Sequence, residues 1–423
     1  MTRTRALKAL LATGIAVGAM ATSALAGGFA IREQSVEYQG MSFAGNAAGG
    51  GGLSGMFWNP AVLGEFEGFQ TDSNYTLIAP YAKITGTDAL GTGSSGNMGS
   101  LALVPASYMS YQLTDDLVAG LSMNSPFGLG NKTDFAWVGQ TFNRKSQVKT
   151  YNGQLALAYN VSPDITIGGG VIMEYMTADL RSAGDVAPTS SSVVVQGDDI
   201  GFGFSGGVVW RPMDGTHLGF GFRSAVKHTL KGEDSLRGTN PAIPGFDPIS
   251  ADVTLPESAT LSIRQDISAE TRILASAEWT NWSRLKQLDI VCSGGGTNLA
   301  LCGLRPPGAV LKSLQFGWHD GYFFSAGLEH DLSDTLTIRG GLAYEISPIQ
   351  APDERSLRVP DSDRLWLSAG ASLQITEKMK ANLAYTHIFF KEGDIDRTES
   401  GLHFVGKSNA HMDILSAGMS VDF

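Results

Sequence analysis

The last nine residues, LSAGMSVDF, alternate strictly: Leu415, Ala417, Met419, Val421 and Phe423 fall on one side of an extended chain, and Ser416, Gly418, Ser420 and Asp422 on the other. A period of two is the signature of a strand with two unlike faces. The pattern recurs in Leu336, Ile338, Leu342, Tyr344 and Ile346 against Thr337, Arg339, Gly341, Ala343 and Glu345. It recurs again in Leu365, Leu367, Ala369, Ala371, Leu373 and Ile375 against Arg364, Trp366, Ser368, Gly370, Ser372 and Gln374. Each run is about ten residues long, the span a tilted strand needs to cross a bilayer. A β-sandwich also alternates, so the connections decide between the two. Very short turns at 114–116, 162–164, 213–215, 333–334 and 376–378 alternate with long connections near 182–197, 232–252, 291–311, 348–361 and 395–408. Tight turns on one side and long loops on the other describe an outer-membrane barrel. Counting strands from residue 69 to Phe423 gives fourteen, and an even number keeps both ends of the sheet on the same side. The expected fold is all-β: a 14-stranded antiparallel transmembrane β-barrel.

The other bounds agree. Arg3, Arg5 and Lys8, then an apolar run around LLATGIAVGAM, then Ala24-Leu25-Ala26 read as a secretory signal peptide over residues 1–26, cleaved near Ala26. Nothing later approaches the roughly 20 apolar residues of a spanning helix. The formal net charge is −11, and loss of the three basic leader residues makes it −14 (−11 − 3). So acidic a chain, without a basic stripe, is not a nucleic-acid binder. The two cysteines, Cys292 and Cys302, flank SGGGTNLAL. In an oxidising compartment they read as one disulfide closing a short loop, and two thiols are too few for a structural metal site. No cofactor and no metal are expected.

The N-terminal part of the mature chain reads differently. AGNAAGGGG (44–52) is followed by the apolar Met56, Phe57 and Trp58, and then by Asn59, Pro60 and Ala61, where an N-cap asparagine and a first-turn proline start a short helix. Taken alone, this is compatible with an exposed linker.

GGFAIREQSVEYQGMSFAG followed by NPA resembles the FadL/TodX family of transporters of hydrophobic compounds. FRSAVKHTLKG (222–232), LPES (255–258), NWSRLKQL (281–288) and VPDSDRLWLSAG (359–370) extend the resemblance in order along the mature chain. The resemblance implies that residues 27–68 fold inside the lumen as a hatch, with residues 69–423 forming the barrel. Glycines at 49–52 would let the chain turn in a crowded lumen, and Met56, Phe57 and Trp58 would supply an apolar, ligand-binding plug surface. Phe29 and Ile31, near the mature N-terminus, would line the inner end of the ligand path. The terminal Phe423 resembles the assembly signal of outer-membrane proteins.

The family also implies an inward kink in the third strand that opens the barrel wall. The matching residues are Ser125, Pro126, Phe127 and Gly128; proline lacks a ladder donor and glycine packs little, so pairing should break there, although the same residues could simply end a strand. A fatty-acid carboxylate in an apolar cavity needs a cation. Arg181 and Lys312 stand near the family's basic positions, their alternative being loop-edge charges facing lipopolysaccharide.

Catalytic spellings are weak. GFSGG (203–207) satisfies G-x-S-x-G, but it sits in IGFGFSGGVVW, a strand with Phe202 and Phe204 outward and small residues inward, not at a strand-to-helix elbow. The overlapping G-x-G-x-x-G fails for the same reason. His387 shares the parity of Leu383, Tyr385 and Phe389, and so could serve an exterior lipase, although no outward serine matches its depth. The expected function is passive uptake of hydrophobic molecules, foremost long-chain fatty acids, by a non-enzymatic monomer. It would sit among outer-membrane lipid and lipopolysaccharide and release ligand through the wall. Aromatic hydrocarbon uptake, a general porin and an outer-membrane lipase are the alternatives.

Overall fold

The computed structural model describes residues 27–423 except 90, 185–190, 238–245, 295–300 and 303–304. The leader expected over residues 1–26 lies outside the described residues.

Fourteen antiparallel staves form one closed barrel. The first, Phe69–Asp88, pairs with the last, Leu402–Asp422, from Gln70↔Asp422 to Thr87↔Val405. Closure removes the free edge that would otherwise template aggregation. The alternation read in the sequence is the in–out alternation of this wall. Leu342, Leu367, Leu383 and Leu415 are exposed on the outside, as a lipid-facing band requires, while Arg339, Glu345, Ser368 and Ser416 are buried on the inside. Phe202 and Phe204 also point out and Ser205 points in, so GFSGG is wall.

Some expected loops are strand. The ladder Val226–Arg237 with Phe246–Leu255 takes up most of the connection assigned to 232–252. The stretch 395–408 is also no long loop: Gly393–Glu399 pairs with the last stave and turns back at Ser400–Gly401. Each of these strands still buries one face, Ile395 and Arg397 lying inside while Asp394 and Asp396 are exposed, so charged residues on both faces blur the apolar period.

The hatch segment fills the lumen. It contains a helix, Val36–Gln39, capped by Ser35 Oγ accepting from Tyr38 N at 3.2 Å, and two 3₁₀ turns, Leu53–Phe57 and Pro60–Glu65. Asn59 Oδ1 accepts from Ala61 N at 3.0 Å, and its Nδ2 donates to Ala47 O and Val208 O at 2.8 and 2.9 Å. The helix begins where the sequence placed it, but it winds as 3₁₀. Gly49 and Gly50 turn the chain at φ +81° and +71°. The wall answers with glycines of its own: a Cβ on Gly219 would lie 1.8 Å from Ala47 O, and one on Gly341 2.1 Å from the Met41 carbonyl carbon. Backbone thus packs on backbone, which only glycine allows.

Candidate functional site

The third stave breaks where the sequence placed a proline and a glycine. Leu117–Asn124 pairs with the second stave only as far as Ser107↔Met123, and the stave resumes as Gly128–Lys132. Against the fourth stave the register moves from Asn124↔Asn152 to Gly128↔Lys149, one extra residue on the third. This is a bulge, which bends the strand that carries it. Beyond Ser107↔Met123 the third stave next bridges, among the described residues, not the second stave, Ala102–Gln112, but Gly99 in the connection before it, at Gly99↔Asn131. Between these contacts the wall is unpaired.

The start of the hatch occupies the bend. Ile31 N donates to Pro126 O at 2.7 Å and Gly128 N to Phe29 O at 2.8 Å, making residues 29–31 a one-bridge strand on the kink. Gln34 Nε2 donates to Ser125 O at 2.8 Å, and Gln34 O accepts from Tyr108 Oη at 2.7 Å. Arg32 is held from the other side, ion-paired to Glu278 and, at 3.3 Å, to Glu345, with its guanidinium 4.1 Å over the Phe323 ring. Glu33 is buried with neither carboxylate oxygen hydrogen-bonded, and burial pushes its pKa up to about 7.

Inside the bend lies a cavity of about 50 Å³, walled by Ala30, Ile31, Phe57, Trp58, Pro126 and Phe127 on the hatch and kink side. Arg223, Ile172, Val226 and Leu255 close it from the barrel. Of the expected ligand-binding residues, Ile31, Phe57 and Trp58 reach the cavity. Phe29 stands behind it in an aromatic cluster, 4.8 Å from Trp282 and 6.1 Å from both Phe127 and Trp318. Met56 is buried next to Leu63 against the wall at Gly120. Asn59, Pro60 and Ala61 do not border the kink; they pack on Gly168 and Gly207 of the fifth and sixth staves.

Arg223 was not singled out from the sequence. Its Nη1 donates to Phe57 O at 2.9 Å and to Gln154 Oε1 at 2.8 Å, its guanidinium lies 4.2 Å over the Phe57 ring, and it forms no ion pair among the described residues. Nearby, His228 is fully buried between Glu174 and Asp199, 3.3 Å from each. The signal was present: FRSAVKHTLKG and LPES supply Arg223, Ser224, Val226, Leu255, Pro256 and Ser258 to the cavity wall, and VPDSDRLWLSAG supplies Asp361, which accepts from Gly28 N at 3.0 Å. Those segments converge on the start of the hatch.

The two basic candidates differ. Arg181 is paired with Asp179 at 2.8 Å, and Lys145 meets the same carboxylate at 2.7 Å. Lys312, on the strand Val310–Gln315 above the membrane, forms no ion pair among the described residues. Burial, then the charge of Arg358, pushes its pKa down to about 8. Arg358, also missed, is buried; its Nη1 donates to Ser146 Oγ at 3.0 Å and to the Arg181 carbonyl at 3.3 Å. Cys292 and Cys302 are joined by a disulfide, Cα atoms 5.6 Å apart. His387 faces outward, its Nδ1 2.7 Å from Asp413 Oδ1, which also accepts from Tyr385 Oη at 2.6 Å.

Residues 17–423 match the family model described as outer membrane protein transport protein (OMPP1/FadL/TodX). The chain belongs to this family. It is 26% identical to the long-chain fatty acid transport protein of Escherichia coli, over 90% of this chain and 92% of that one. The fold matches a Pseudomonas aeruginosa FadL homologue with a TM-score of 0.84 at 21% identity, covering 94% of this chain and all of the other. It also matches the Ralstonia pickettii toluene transporter TbuX, with a TM-score of 0.68 at 16% identity, covering 92% and 100%. The chain is therefore an outer-membrane protein, and its family members are transporters.

Proposed function

We propose that this FadL/TodX-family barrel admits long-chain fatty acids passively and releases them sideways through the unpaired wall at Pro126–Gly128. The observation that carries the reading is the coincidence of three features: a break in the ladder above Ser107↔Met123, an apolar cavity behind it, and the hatch arm 29–31 seated across it. An alkyl chain gains about 0.8 kcal/mol per methylene by staying out of water, so exit into the bilayer is favoured over exit into the periplasm. A cavity of about 50 Å³ cannot hold such a chain; delivery therefore requires the arm to move, and ligand must bind the displaced arm better than the seated one.

A carboxylate is favoured over a bare aromatic ring by Lys312 and Arg358 at the outer end, which form no ion pair among the described residues, whereas Arg223 shares its cavity with Glu174 and Glu278. Arg181, neutralised by Asp179, is assigned a supporting part. Oleate titration tests this. Losing one charge-assisted hydrogen bond of about 1.5–3 kcal/mol should weaken binding about 10- to 100-fold in Lys312→Ala, with a smaller loss in Arg181→Ala. Toluene uptake should change little in either. Equal oleate affinity in Lys312→Ala and the unaltered chain would remove the carboxylate role and favour an aromatic substrate.

A further inference from the structure

The outer face of the fourth stave, Lys145–Ser162, is free of charge from its periplasmic turn upward, through Val161, Tyr159, Leu157, Leu155, Gly153 and Tyr151. The run ends at Lys149. Counted from Ser162, that lysine stands roughly 33 Å up a strand tilted by about 40°, just past an apolar band about 25 Å tall. Tyr151 stacks on Tyr175 of the fifth stave with ring centroids 6.5 Å apart, as an aromatic girdle does at that boundary. Lys149 is partly exposed and forms no ion pair among the described residues; the charge that reaches it is that of Lys145. The acids nearby are already taken. Asp179, one outward row above, is shared by Lys145 and Arg181, and Asp198, across Thr177, accepts from the Tyr175 hydroxyl.

This lysine borders the opening in the wall. It stands opposite Gly128, where the third stave resumes, and Gly128 has no side chain to cover it. Thr150, the next residue, grips the kink: its Oγ1 accepts from Phe127 N at 2.9 Å and its N donates to Phe127 O at 3.1 Å. The lower lip of the opening is apolar. Met123, paired with Gly153 four residues below Lys149, is exposed on the third stave, and Leu103 and Pro105 share the outward parity of the second. An alkyl chain can cross that lip into the bilayer, but a carboxylate cannot follow it, because an ionised group in the hydrocarbon is costly. It must stay in the headgroup layer, where a lysine lays its stem along apolar surface and holds its ammonium in water. We propose that Lys149 is the exit cation, which receives the carboxylate of a departing fatty acid outside the wall while the tail enters the bilayer. The inference rests on lateral release through Pro126–Gly128.

The test measures initial uptake of radiolabelled oleate by cells that lack their own fatty-acid transporter and carry the full chain, beside oleate titration of the purified barrel. Lys149→Gln should slow uptake about two- to fivefold, the worth of a partly exposed ion pair. Lys149→Glu should slow it further, and the oleate Kd should be unchanged in both. Lys149→Arg should restore uptake, because it restores the charge. Lys231→Gln, exposed on the outer face of the seventh stave, should leave uptake as it was. Equal uptake by Lys149→Glu and the unaltered chain overturns the proposal, whether the lysine is idle or occupied by lipopolysaccharide phosphate. A loss in Lys149→Arg equal to that in Lys149→Gln overturns it too, since packing and not charge would be responsible. So does a Kd that weakens in step with uptake, which would place the lysine's effect at entry. Pro126→Thr with Gly128→Val separates this inference from the reading beneath it. If that variant blocks uptake and Lys149→Glu does not, lateral exit stands without this cation; if uptake passes a wall shown to be closed, exit and cation fall together.

Discussion

Glu33 places an unsolvated acid next to the arm that the proposed route displaces. Its ordinary pKa of 4.5 is raised to about 7 by burial, and the sign of the consequence follows from proton binding. Below 4.5 Glu33 is protonated whether the arm is seated or released; between 4.5 and 7 only the seated arm keeps the proton, so seating weakens as pH rises through that window and is constant above it. The loss is on the order of 3 kcal/mol. A spin label at position 29 should therefore become more mobile between pH 4.5 and 7, and Glu33→Gln should abolish that dependence; a flat profile in the unaltered chain would refute it. Lys312 gives the opposite test. With its pKa at about 8, it is charged at neutral pH and loses its proton well before an ordinary lysine. Oleate affinity should fall as pH rises through about 8, and Lys312→Arg should hold it.

In the proposed route the third stave carries the exit, and its break is written in one tripeptide. Pro126 withholds an amide, and Gly128 offers no side chain to pack along a ladder. Pro126→Thr with Gly128→Val should extend pairing beyond Ser107↔Met123, giving a barrel that assembles and binds oleate but does not deliver it. Normal uptake through a wall shown crystallographically to be closed would overturn lateral release. This element was legible because it depends on local backbone chemistry, as were the alternating staves, the tight turns and the start of the hatch helix at Asn59. What could not be read is what depends on which staves meet. Arg223 and Arg358 are ordinary arginines in sequence, and become a cavity wall and a cation beside Lys312 only when the barrel closes. Arg181 was legible as a charge but not as a neutralised one, although Asp179 stands two residues away on the same face. The strand Gly393–Glu399 was not legible because its buried face carries Arg397 beside Ile395 while its exposed face carries Asp394 and Asp396, so charge stands on both faces and polarity does not alternate.

At the scale of the whole molecule, a wide barrel is prevented from being a pore by the buried side chains of the hatch, such as Phe43, Trp58 and Leu63, and by close backbone contact that seats them. Fourteen staves would enclose an aqueous lumen, yet the hatch lies against wall glycines, Ala47 on Gly219, Trp58 on Gly221 and Met41 on Gly341. Each contact is close enough that a Cβ would meet backbone, so the seat is specified by the absence of side chains on the inner face. The outer face and the ladder do not use those positions for packing, which separates barrel assembly from plugging. In the unaltered protein, single-channel conductance in a planar bilayer should be small, since ligand traffic needs only a local shift of the arm while the rest of the hatch stays seated. Gly219→Val keeps the strand, and β-branched residues favour it, but it drives a side chain into the Ala47 carbonyl, which lies 1.8 Å from the first added carbon. The variant should still migrate as a heat-modifiable folded barrel while conducting ions several-fold more than the unaltered protein. Unchanged low conductance from a folded Gly219→Val barrel would mean that the plug is held by its ion pairs, Arg32 with Glu278 and Arg339 with Glu37, and not by the glycine seat.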